Sequence, residues 1–235
     1  MEFSEPEPQL EDSKIPNETP VGFELPNANL QTQQKEMSAA DYMVAFSGQS
    51  QNYCVGIVQM CESAIITSTL HRTKIMKYYE VFLNSMSQVL SKYDANVMKN
   101  AGDSLYFYFP RTGRADKQYG FMSCAECGIE LVDMRDELNM HLAKIDLPPV
   151  NYRVGSDYGQ VVMMKSNKSL SIDMIGSPIS ICTKIVQKCP DNEFVVGSEL
   201  QKIIKVFNDY TLEEMKGYEL EIGYDYKTFS VSRRS

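Results

Sequence analysis

Hydrophobic positions along this chain follow two periods, one of two residues and one of three to four. Residues 53–60, YCVGIVQM, form a near-continuous apolar run and predict a buried strand. Over 69–92 the apolar positions Ile75, Tyr78, Tyr79, Phe82, Met86, Val89 and Leu90 have the spacing of a long amphipathic helix. Residues 97–110, VMKNAGDSLYFYFP, then alternate again. Val97 and Lys99 precede a turn at Asn100-Ala101-Gly102-Asp103, and Leu105, Phe107 and Phe109 follow it, which predicts a hairpin. A second long helix is predicted over 116–144, with Phe121, Cys124, Gly128, Leu131, Met134, Leu138 and Leu142 on its core stripe. Residues 152–166 read as two strands around a turn at Asp157-Tyr158-Gly159. A helix from Pro178 to Lys188 follows, then a strand at 194–196 and a helix from Ser198, its expected cap, to Ile204. Strands fill 210–231, with a turn at Lys216-Gly217. This order predicts an α+β domain: an antiparallel-rich sheet with helices on one face.

Composition narrows the picture. Residues 1–36 carry eight acids against Lys14 and Lys35, together with five prolines, and show neither period. Residues 1–40 are therefore expected to be a disordered acidic tail, ending near a short lead-in helix capped by Ser38, and 41–235 the folded domain. The net charge of −8 carries no basic stripe, so a nucleic-acid partner is not expected. No apolar run reaches the roughly 18 residues of a membrane span, and the acidic opening is not that of a secretory signal. The six cysteines lie inside apolar or helical patterns, which predicts reduced thiols and a cytoplasmic location. Cys124 and Cys127 make a lone CxxC with only His71 and His141 elsewhere. Two core-facing thiols are one reading, and a zinc or redox site is the other.

The hairpin is the place where chemistry concentrates. Its tip acid, Asp103, suits a solvated turn, since Asp is a common turn residue, and equally suits a divalent metal held on a rigid support. Lys99, four residues earlier, is either a strand-edge lysine or a ligand group. Lys99-Asn-Ala-Gly102-Asp103 resembles the Lys-x-x-Gly-Asp hairpin of class III adenylate and guanylate cyclase catalytic domains. Asp173-Met-Ile-Gly176 leading into Ile179-Ser-Ile-Cys-Thr-Lys184 is similar to that family's Asp-x-x-Gly-x-x-Val-Asn-x-Ala-x-Arg. Cys54–Thr67 and the helix after it resemble the family's first strand, loop and helix, and Val154-Gly155 with Asp157-Tyr158-Gly159 its strand before the last block. The blocks stand in the family's order across about 53–231. The resemblance implies a ferredoxin-like βαββαβ core and a site completed between two subunits.

In that family two Asp residues hold two divalent ions, Mg²⁺ or Mn²⁺, for attack of the ribose 3′-hydroxyl on the α-phosphate. Carried over by motif, Asp103 takes the hairpin metal position, and Lys99 and Asp173 the base-reading positions of the adenine-selective type. Gln59 falls where the first metal Asp belongs, Ser180 where the ribose Asn belongs, and Lys184 where the transition-state Arg belongs. Glu62 is the nearest acid to Gln59, and it reaches a metal only if its loop bends. Gln59 brings an oxygen without charge, and Lys184 lacks a guanidinium's planar fork. Two functions follow from the resemblance. One is a nucleotide cyclase making cyclic AMP and diphosphate from ATP, as a homodimer or beside a partner cyclase chain. The other is a non-catalytic cyclase-fold module that binds ATP or a related nucleotide, or regulates a partner cyclase. The outward residues among Tyr106, Phe107, Tyr108 and Phe109 are candidates to line the partner chain.

Overall fold

A computed structural model describes residues 44–114, 117–166, 172–223 and 225–234. The expected tail and the Ser38 lead-in helix lie outside them. Strand β1 (Val44–Met60) is followed by helices α1 (Ser63–Thr69) and α2 (Arg72–Lys92), the hairpin β2 (Asn96–Ala101) and β3 (Ser104–Phe109), and helices α3 (Lys117–Asp133) and α4 (Arg135–Lys144). Then come β4 (Tyr152–Ser166), β5 (Ile172–Ile175), α5 (Ser177–Lys188), β6 (Phe194–Gly197), α6 (Ser198–Ile204), β7 (Tyr210–Glu214), β8 (Leu220–Glu221), β9 (Asp225–Tyr226) and β10 (Thr228–Arg233). The main sheet runs β2-β3-β1-β4-β6-β10-β7, and β5 pairs with the far end of β4. Every pairing in it is antiparallel except β4 with β6.

The alternation along β1 explains how two faces are filled. Cys54, Val58 and Met60 point into the larger core with Tyr78, Phe82, Phe121, Leu131 and Leu200, under α2, α3, α4 and α6. Tyr53, Val55 and Ile57 point the other way, where α5 lies across β1 and β4 through Cys182 and Val186. Gly155 of β4 admits α5, because a Cβ there would come within 2.9 Å of Ile185 Cγ2. That second face stays open beyond α5, and the candidate residues sit on it.

Four details differ from the sequence expectations. A short helix, α1, occupies the expected loop ahead of the first long helix, and the two are parted where Leu70 and His71 take extended backbone. The Ser and Thr hydroxyls of α1 bond back onto its own carbonyls, Thr67 to Ser63 O and Thr69 to Ile66 O, which weakens helix continuity. The second long helix relaxes at Met134 (ψ −7°), although the Met134 and Leu138 N–H groups still find carbonyls four residues back. β4 is one strand, not two. Asp157 is fully buried, accepting from the Leu200 N–H at 3.2 Å and the Tyr226 hydroxyl at 2.8 Å, so it holds no turn. The same carboxylate does the capping expected of Ser198, whose hydroxyl donates instead to Lys227 O.

Candidate functional site

The end of β1 and the hairpin tip are tied together first by backbone. Met60 N–H donates to Asp103 O at 3.0 Å, and Gln59 stands opposite Ser104 in the β1–β3 register. Gly102 turns the hairpin with φ +66°, a value glycine adopts without strain. The Asp103 carboxylate is then surrounded by donors. Ser63 Oγ donates to Oδ2 at 2.7 Å, Ser104 Oγ to Oδ1 at 2.8 Å, and Gln59 Nε2 to Oδ1 at 3.3 Å. Partial burial pushes this carboxyl up, but the hydrogen bonds from Ser63, Ser104 and Gln59 outweigh it and hold Asp103 below its ordinary value.

Lys99 and Asp173 meet across two strands that are not neighbours in the sheet. Lys99 Nζ lies 2.7 Å from Asp173 Oδ2 and 5.1 Å from the centre of the Tyr106 ring. Asp173 Oδ1 also accepts the Met174 N–H at 2.8 Å. Both side chains remain partly open, at 38% and 29% exposure. Lys99 stands opposite Tyr106, and Tyr106 opposite Ile57. Ile57 and Gln59 share a face of β1, so the ion pair and the Asp103 cluster lie on one face about 6–7 Å apart along the strands. Gly176, which ends β5, is required by close approach: a Cβ there would sit 2.4 Å from Gln160 O.

Ser180 and Lys184 lie one turn apart on the exposed side of α5, whose buried side is Pro178, Ile181, Cys182, Ile185 and Val186. Of the candidates, only Lys184 borders the cavity of about 330 Å³ that it shares with Gln187, Lys188, Leu220 and Glu221. Glu62 is exposed and takes a left-handed backbone (φ 53°) that starts α1. It is Ser63, not Glu62, whose side chain reaches Asp103. Cys124 meets Cys54 across the core with sulfurs 2.8 Å apart, and both thiols are buried. Sequence reasoning missed Ser63, Ser104 and Arg153. Ser104 adjoins Asp103 and was within reach of a careful reading, whereas Arg153 emerges only from the register that sets it opposite Gln59.

A two-ion centre needs oxygens aimed at the ions, usually including one or two carboxylates. Here the one carboxylate is taken up by three donors, and its neighbour on β1 is an amide. No group of three or more His, Cys, Asp or Glu suited to a metal occurs among the described residues. These residues do not fit that centre.

Comparison with protein-family models and with curated proteins gives no match. Solved structures do match. The adenylyl cyclase CyaB from P. aeruginosa superposes with a TM-score of 0.72 at 15% identity, over 80% of this chain and 96% of that one. A dimeric guanylyl cyclase domain of the RhoGC fusion protein from Blastocladiella emersonii gives 0.68 at 12%, over 79% and 99%. The guanylate cyclase domain of RhGC from Catenaria anguillulae, in complex with GTP, gives 0.68 at 10%, over 80% and 100%. The chain therefore has the class III nucleotide cyclase fold, that of adenylyl and guanylyl cyclase catalytic domains.

Proposed function

We propose that this chain is a nucleotide cyclase homologue that binds an adenine nucleotide on the open face of its sheet, and acts through that binding or on a partner cyclase rather than by turnover. The observation that carries the reading is the Lys99–Asp173 pair beside Tyr106. An ammonium and a carboxylate fixed side by side offer a donor and an acceptor to the edge of a base, and an aromatic ring offers it a surface to stack on. Asp103, Lys99 and Asp173 keep the family's residue types, while Gln59, Ser180 and Lys184 do not. A second chain, a copy of this one or another cyclase, covers that face. The exposed Ile175, two residues along β5 from Asp173, suits such a contact.

Equilibrium binding of ATP, run beside an assay for cyclic AMP with Mg²⁺ or Mn²⁺, tests this. The expected result is ATP binding without product, weakened about tenfold by Lys99→Ala through loss of a charged hydrogen bond. Absence of ATP binding overturns the reading. The retained Asp103 favours one second reading, a slow cyclase working beside a partner that supplies the missing carboxylate and arginine. Cyclic AMP that disappears in Asp103→Ala selects it.

A further inference from the structure

We propose that Gln59, Ser63 and Ser104 stand in for a divalent ion at Asp103, so that the site takes its adenine nucleotide as a metal-free anion; the nucleotide half of this rests on the reading above. Three independent features carry it. The first is prior engagement: both carboxylate oxygens already accept from neutral donors, at 2.7, 2.8 and 3.3 Å. An ion at the roughly 2.0–2.1 Å that Mg²⁺ requires has to compete with these donors for the same two oxygens, with an amide and not a second carboxylate at position 59.

The second feature is how Ser63 gets there. The chain leaves β1 through Glu62 in a left-handed conformation, sparsely populated by residues other than glycine, Asn and Asp, and passes directly into α1. That tight exit places the Ser63 hydroxyl against the hairpin tip. The third is charge. Arg153 stands opposite Gln59 on β4, and directly opposed residues share a face with Cβ atoms about 4.5–5.5 Å apart. Its guanidinium is anchored by Asp191 at 2.6 and 2.9 Å and by Val186 O at 3.2 Å. Opposite position 59 there is thus an ion-paired cation and not the second carboxylate that a divalent ion would use. With no ion, the phosphate charge falls to basic side chains such as Lys184 on the exposed side of α5.

The test uses the full chain and two readouts. Titrating Mn²⁺ against the protein, with free Mn²⁺ read by electron paramagnetic resonance, should show no stoichiometric binding by the wild type and binding by Gln59→Asp, which restores a second carboxylate. ATP affinity in EDTA should lie within about threefold of that in Mg²⁺. The proposal is overturned if wild type binds Mn²⁺ stoichiometrically and Asp103→Asn abolishes it, or if ATP affinity falls more than about tenfold in EDTA. The wild-type titration decides the matter even if Gln59→Asp does not fold. ATP binding in neither buffer sinks the nucleotide reading alone, because the manganese signal still reports on Asp103.

Discussion

Replacing Asp157 by Asn should change the pH dependence of stability in one direction only. Asp157 is fully buried between β4, α6 and β9. Burial drives its carboxyl up, hydrogen bonds from Tyr226, Tyr158 and Leu200 pull it partly back, and it settles at about 6 against an ordinary 3.8. The folded state therefore holds this proton more tightly than the unfolded chain does. Stability from the protonated form is complete below pH 3.8 and is lost as pH rises through about 6. At ~1.4 kcal/mol per pH unit the loss approaches about 3 kcal/mol by neutral pH. An Asn side chain cannot titrate, yet its amide oxygen can still accept the Leu200 N–H. Urea denaturation of both proteins from pH 4 to 7.5 isolates the group, because every other acid is common to the two. Relative to wild type, the Asp157→Asn variant should gain about 2–3 kcal/mol across that window. Parallel stability curves would show that Asp157 does not titrate there, and the reasoning from its burial would fail.

Two further outcomes follow from the packing. Gly128→Ala should destabilise by about 1–3 kcal/mol, read as a lowered denaturation midpoint, since a Cβ there would lie 2.3 Å from the Phe194 ring. All six cysteines are buried, and burial pushes the thiols of Cys54, Cys61, Cys127, Cys182 and Cys189 up. Native protein at pH 8 should therefore react with Ellman's reagent far more slowly than denatured protein, which should release all six equivalents.

Much of this molecule was legible before any coordinates. The hairpin, the stripes of α2, α3 and α4, and α5 from its proline come from local periodicity and spacing, because strand alternation and helical period are local properties; the motif positions of Lys99, Asp103 and Asp173 come only from the family resemblance. The turn at 157–159 was misread for an equally local reason. Asp and Gly are common in turns, but here the Asp is a buried acceptor and Gly159 lies beside Pro178 of α5. Nothing within a few residues distinguishes the two uses.

What surrounds Asp103 was decided only by tertiary structure. The amino-acid order says that position 59 lacks a carboxylate. It does not say that the amide there points at Asp103, that Ser63 joins it from α1, or that Arg153 stands across the sheet. These are contacts between residues 40 to 94 apart in the chain, set by register and by the exit angle of one strand. A hydrogen-bond donor and a metal ligand can be the same residue type, and only the direction of its neighbours separates them.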